Sequence, residues 1–90
     1  MSWIKCRDGF KVSVIEHDGS YSLPRDEGLF PKTHVEVGYP SQRPEPWSKW
    51  KKYAETPEHP TRTIYAYVPV ELVDELIRYH DDPRRLTENG

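Results

Sequence analysis

The 90-residue chain has little of several residue types on which small stable proteins depend, and each scarcity limits what it can be. It has one cysteine, Cys6, so an internal disulfide is impossible and a reducing compartment, the cytoplasm, is expected. Only 34% of its residues are hydrophobic, and no segment approaches the ~20 apolar residues that span a bilayer. Charges at Lys5, Arg7 and Asp8 stand where a signal peptide needs an apolar run. We therefore expect neither secretion nor membrane insertion.

Signatures of catalysis and of metal binding are also missing from the sequence. The five glycines are scattered, so no phosphate-binding loop is indicated. Cys6 has no short-range histidine signature, and we interpret it as a small buried strand residue. His34 and Glu36 could supply two metal ligands from one strand face, whereas a closed site needs about four. We predict that the chain is not an enzyme and has no cofactor and no metal site, and we interpret His80, with the carboxylates after it, as a helix end with a capping role.

What the sequence does have is aromatic and charged residues, at 12% and 31%, with a formal net charge of -2. Such a charge provides no global positive field for binding phosphates. A chain of 90 residues forms one domain with a modest core, which favours binding at a surface over an enclosed active site. We predict a single compact domain over residues 1–82 and a polar C-terminal tail over residues 83–90.

Short runs of alternating residues predict strands. Trp3 to Arg7 and Phe10 to Ile15 flank Asp8-Gly9, which suits a two-residue hairpin turn. Asp18-Gly19 offers a second turn into a strand over Ser20 to Leu23. The loop Pro24 to Lys32 follows, and alternation returns in strands over His34 to Gly38 and Thr63 to Val68. In the last strand we expect the core face to hold Ile64, Ala66 and Val68.

Two helices are predicted. Pro46 suits the first turn of a short helix that carries Trp47 and Trp50 on one face. Pro69 begins a second helix through His80, with an apolar face of Val70, Val73, Leu76, Ile77 and His80. The predicted fold class is α+β: a small antiparallel sheet of four to five strands, with the C-terminal helix packed on one face and a short Trp-bearing helix.

The segment from Gly38 to Pro60 holds five of the nine prolines and two of the three tryptophans. Its prolines predict a stiff extended connector. Its tryptophans and lysines have two interpretations: rings that attach a short helix to the sheet, which we favour, or a patch that stacks on nucleobases. The predicted binding residues are Arg43, Trp47, Trp50, Lys51, Tyr65 and Tyr67.

The runs "SWIKCRDGFKVSVI" and "HVEVGYPSQRPEPWSKWKKYAETPEHPTRTIYAYVPVELV" resemble a group of small uncharacterised proteins encoded by phages of actinobacteria. The resemblance covers Ser2 to Ile15 and about His34 to Val73, and the proline–tryptophan segment with the following Tyr-Xaa-Tyr-Val-Pro-Val is its most specific part. It transfers no catalytic or binding residues. It implies a phage protein present in the cytoplasm of a host cell.

The expected function is that of a non-enzymatic phage accessory protein that binds and modulates a host protein or a defence component. The first alternative is an aromatic and cationic binder of a nucleotide or of single-stranded nucleic acid, which would show steep salt dependence. The second is a component of a virion or another self-assembling homo-oligomer. The sequence names neither the partner nor the oligomeric state.

Overall fold

The computed structural model of the chain describes residues 2–15 and 33–84. Four strands of these residues form one antiparallel sheet in the order β1 (Ser2–Lys5), β2 (Lys11–Ile15), β3 (His34–Gly38) and β4 (Ile64–Pro69). A short helix α1 (Trp47–Trp50) continues as a 3₁₀ turn (Lys51–Tyr53), and α2 (Val70–Asp81) follows β4. The predicted α+β class, with its antiparallel sheet, C-terminal helix and short Trp-bearing helix, is confirmed. The strand predicted over Ser20 to Leu23 and the loop Pro24 to Lys32 lie outside the described residues.

The turn between β1 and β2 has three residues, so the predicted two-residue turn at Asp8-Gly9 is wrong. The Cys6 amide donates to the Phe10 carbonyl oxygen at 2.8 Å, and the Gly9 amide donates to the Cys6 carbonyl oxygen at 3.0 Å. Gly9 has a φ of 93°, the left-handed conformation that follows the turn in a three-residue hairpin loop. Glycine adopts this conformation without the steric cost that a Cβ atom imposes.

Strand β4 contains a bulge, which changes the residues that face the core. Val35 pairs with Val68 and Val37 pairs with Tyr65, so two steps along β3 match three along β4. Tyr67 absorbs the extra residue with a φ of 54°. Strict alternation is therefore wrong for this strand: Tyr65 and Val68 are buried, whereas Ile64 and Ala66 of the predicted core face are only half-buried.

The core lies between one face of the sheet and the two helices. Valines of β2, β3 and β4 meet Val73 and Leu76 of α2 in one cluster, which also includes Phe10 and Trp50. On α2, three of the five predicted apolar positions are buried and two are half-buried, as the helical periodicity predicted. Within the described ranges, no helix is long and apolar enough to cross a membrane.

Candidate functional site

Two of the proposed binding residues, Trp50 and Tyr65, belong to the core. Both side chains are 0% exposed, and their rings meet edge to face with centroids 5.6 Å apart. The Tyr65 hydroxyl donates to the carbonyl oxygen of Pro60 at 2.5 Å, and burial raises the pKa of Tyr65 to about 12. Their role as surface contacts is therefore wrong. The rings instead attach the short helix to the sheet, the interpretation that the sequence favoured.

Two other proposed residues, Arg43 and Trp47, lie together at the surface. The Arg43 guanidinium carbon is 5.6 Å from the centroid of the half-buried Trp47 ring, which packs edge to face on Tyr65. Arg43 Nε donates to Glu45 Oε2 at 2.7 Å, and the Trp47 amide donates to Glu45 Oε1 at 3.1 Å. The hydrogen bond from Arg43 holds the pKa of Glu45 below its usual value. Both oxygens of this carboxylate are thus held in place.

The last two proposed residues have different settings. Lys51 is exposed at the start of the 3₁₀ turn, directly after the buried Trp50. Tyr67 is half-buried at the bulge of β4. The local backbone geometry of the bulge sets the direction of the Tyr67 ring, and regular strand alternation does not predict that direction.

The connector that carries Arg43 and Glu45 is anchored to the domain along its length. Pro40 and Pro44 are fully buried. The Ser41 amide donates to the carbonyl oxygen of Lys11, and the Lys11 amide donates to Ser41 Oγ, at 2.8 and 2.9 Å. Residues 39–46 form no strand or helix, as predicted for a connector, but their predicted extended path is wrong, because the chain bends at 41–42 and 45–46 and Tyr39 has a φ of 49°.

Between this connector and α2 lies an open groove of about 360 Å³, here called the connector groove, lined by Glu45, Pro46, Glu75 and Tyr79. Glu75 and Tyr79 are one helical turn apart, so they face the groove together. Tyr79 is 48% exposed, and its ring edge packs against the His80 ring. Each groove carboxylate has a cationic partner: Arg43 at 2.7 Å from Glu45 and Lys49 at 3.7 Å from Glu75. The groove therefore offers two positioned carboxylates beside an accessible aromatic ring.

A buried polar cluster joins the hairpin turn to the end of α2. His80 Nδ1 lies 2.6 Å from Asp8 Oδ2, with both side chains almost fully buried, and the His80 ring stacks on Phe10 at 3.9 Å. Asp8 Oδ1 accepts from the Phe10 amide at 2.9 Å. The predicted capping role of His80 is therefore wrong: it is a core residue with a carboxylate partner 72 positions away. Its place on the apolar face of the helix was the only sequence signal for this role.

Cys6 lies in the same region and is buried, as predicted. Burial, with a further contribution from the negative charges of Asp81 and Asp8, raises the pKa of its thiol to about 11. A thiol with such a pKa stays protonated at neutral pH, and the protonated form is a poor nucleophile. The geometry supports the structural interpretation of this residue.

In the part of the chain that the structure describes, the most exposed rings are not the ones that the sequence singled out. Trp3 is 58% exposed, and Tyr39 and Tyr79 are each about half exposed. Trp3 shares a surface with Lys5 and Lys11, and these three residues are here called the hairpin end. Period-two alternation in β1 could have placed Trp3 and Lys5 on one face, but nothing in the sequence showed which face of the hairpin would be covered.

Over residues 2–15 and 33–84, no group of three or more histidine, cysteine, aspartate or glutamate side chains could hold a metal ion. Comparison of the chain with protein-family models, curated proteins and solved structures finds no match. The function is therefore inferred from the surfaces that the fold presents.

Proposed function

We propose that this protein is a non-enzymatic binding protein that binds another protein at the connector groove. The resemblance to proteins of actinobacterial phages makes a host protein, or a component of host defence, the expected partner. The observation that carries the proposal is the exposed Tyr79 ring, which lines the same open groove as Pro46 and the carboxylate residues Glu45 and Glu75.

The chemistry of the groove suits a basic side chain of the partner. An arginine or lysine that enters it would lie over the Tyr79 ring, where the negative face of the ring attracts a cation. It would also meet Glu45 and Glu75, which point to the same space. Tyr79 in the groove, and Arg43 and Trp47 beside it, are of the kinds enriched in protein interfaces.

The groove is also preorganised, which lowers the entropic cost of binding. Glu45 is held by the Arg43 side chain and by the Trp47 amide, and Pro46 has a restricted backbone. Beneath them, Trp50 and Tyr65 attach the short helix to the sheet. A partner therefore meets a surface whose main groups are already in position.

The proposal is tested by pull-down from host lysate with the immobilised full chain and three variants. Tyr79→Ala removes the groove ring and Glu75→Gln removes one groove charge, whereas Tyr39→Ala removes an exposed ring outside the groove. We expect wild type and Tyr39→Ala to recover the same protein, Tyr79→Ala to lose it, and Glu75→Gln to recover less of it. Truncation of a central interface tyrosine costs about 2 kcal/mol of binding free energy or more.

Two outcomes would overturn the proposal. One is the recovery of no partner by folded wild-type protein. The other is equal recovery by wild type and Tyr79→Ala, which would place any interface elsewhere on the molecule. Light scattering on the free protein tests the alternative of a self-assembling homo-oligomer, because self-assembly would increase the measured mass without any lysate component.

A further inference from the structure

The two lysines of the hairpin end are closer together than their separation in sequence suggests. Lys5 and Lys11 are direct partners in the register of β1 and β2. The amide and the carbonyl oxygen of Lys11 both bond to Ser41, on the side away from β1. The Lys5–Lys11 pair is therefore a non-hydrogen-bonded pair, the kind with Cα atoms about 4.5 Å apart and the closest side chains.

Trp3 lies on the same face as these lysines. Ile4 and Val12 pack against the core, so their neighbours in the strands point to the opposite face of the sheet. Trp3 pairs with Ser13 two positions further along the ladder, again as a non-hydrogen-bonded pair. An open depression of about 400 Å³ adjoins Trp3, Lys5 and Lys11.

Among residues 2–15 and 33–84, no carboxylate compensates the charges of the hairpin end. Among the described residues, no carboxylate forms an ion pair with Lys5 or Lys11, and no ring packs on Trp3. The two carboxylates of the adjoining turn and helix end have other contacts: Asp8 with His80, and Asp81 with the Arg7 amide. Like charges that face each other directly across two strands destabilise the pair. An anion bound between the ammonium groups would relieve that repulsion.

We propose that the hairpin end binds single-stranded nucleic acid, with a base stacked on the Trp3 indole and a backbone phosphate between Lys5 and Lys11. The pairing of an exposed ring with uncompensated cations is the recognition chemistry of single-strand binders. A free mononucleotide fits less well, because small-ligand sites are concave and bury most of the ligand, whereas this depression is open. The site does not use the connector groove and does not depend on a protein partner.

The test is fluorescence anisotropy of a labelled thymidine decamer titrated with the full chain at several salt concentrations. With two lysines at the phosphates, the logarithm of the binding constant should fall with the logarithm of salt with a slope of about −1.4. Trp3→Ala should weaken binding by roughly tenfold, within the range measured for loss of one stacked base. Lys5→Gln/Lys11→Gln should abolish most of the salt dependence.

Matched controls distinguish this surface from others. Lys51→Gln/Lys52→Gln removes the same charge from the 3₁₀ turn, and Tyr79→Ala removes an exposed ring from the connector groove; neither should change decamer binding. Trp3, Lys5 and Lys11 are exposed, so these variants should keep their fold, which far-ultraviolet circular dichroism checks.

Four results would overturn the assignment. Absence of decamer binding at low salt, or equal losses in the hairpin-end and 3₁₀-turn lysine variants, would rule out the site. Equal affinity for thymidine monophosphate would make it a nucleotide site. Equal affinity for an oligoglutamate peptide of the same charge would make it a surface for acidic proteins.

Discussion

The connector groove and the hairpin end both combine an exposed aromatic ring with two like charges, yet they differ in how those charges are held. In the groove, Glu45 is paired with Arg43 and Glu75 with Lys49. At the hairpin end, Lys5 and Lys11 face each other with no carboxylate partner among the described residues.

The difference follows from the backbone on which each set is mounted. Groove side chains come from a helix face and from the connector, where Arg43, two positions away, reaches Glu45, and Lys49 of α1 reaches Glu75 from another element. Hairpin-end side chains come from paired strands, where register alone decides which residues are opposite each other. The groove thus suits a protein partner that brings one cation, and the hairpin end suits a polyanion.

The largest effect on stability should come from Trp50, the buried ring beneath the connector groove. Trp50→Ala should lower the free energy of unfolding by about 3–5 kcal/mol, because it empties a fully buried site. Trp3→Ala, at the exposed hairpin end, should change it by no more than about 0.5 kcal/mol. Urea unfolding of both variants measures the contrast. Similar losses in the two would mean that the described burial of these rings does not determine their energetic roles.

The next largest effect on stability should come from the buried polar cluster that attaches the hairpin turn to α2. Asp8→Ala leaves the buried His80 side chain without its hydrogen-bond partner and should cost about 1–3 kcal/mol. Asp74→Ala removes an exposed carboxylate from the same helix and should be nearly neutral. Urea unfolding at neutral pH compares them, and a neutral Asp8→Ala variant would contradict this anchoring role.

Alkaline pH should lower the free energy of unfolding in two steps, first through Cys6 and then through Tyr65. For both Cys6 and Tyr65 the folded-state pKa is raised, to about 11 from 9.0 and to about 12 from 10.0. Their contribution is complete below the unfolded-state pKa, and it is lost as pH rises through the folded-state value. Stability should therefore fall from pH 9 to 11 through Cys6 and from pH 10 to 12 through Tyr65.

Variants separate the two titrations. Cys6→Ala should remove the earlier loss and Tyr65→Phe the later one, although each also changes stability at neutral pH by altering core contacts. The measurement is the urea midpoint of each protein between pH 8 and 12. Unchanged pH profiles in both variants would assign the alkaline transition to other groups.

The smallest effect concerns the paired lysines. Lys5→Gln should raise the free energy of unfolding by a few tenths of a kcal/mol, up to about 0.5, because it removes repulsion across the strand pair. Lys51→Gln, on an exposed helical turn, is the control and should give no such gain. Urea unfolding at low salt should show the difference, and added salt should reduce it. A loss of stability in Lys5→Gln would indicate that the ammonium has a favourable partner.

Local periodicity predicted the element types well. The strand over His34 to Gly38, the apolar face of α2 and the proline connector were found at or near their predicted places. These features depend on neighbours in the sequence, so the pattern of a few residues is enough to indicate them. The binding residues were harder to predict, because the exposure of a side chain depends on what packs against it from elsewhere in the chain.

Tyr65 shows why the candidate site could not be fully predicted. Regular alternation put it on the solvent face, but the bulge in β4 turned it into the core against Trp50. A bulge depends on the register with β3, which one strand's own pattern does not encode. Of the six proposed binding residues, Arg43 and Trp47 are the two that the structure brings together beside the groove.

By itself, the sequence determined the α+β class, the helical face of α2 and the interruption of regular structure by the proline-rich connector, because these follow from residue spacing and from proline geometry. Only the tertiary structure decided that Trp50 is core and Trp3 is surface, that His80 meets Asp8, and that Lys5 faces Lys11. Those outcomes depend on contacts between residues far apart in the chain or on strand register, which are set when the whole domain packs.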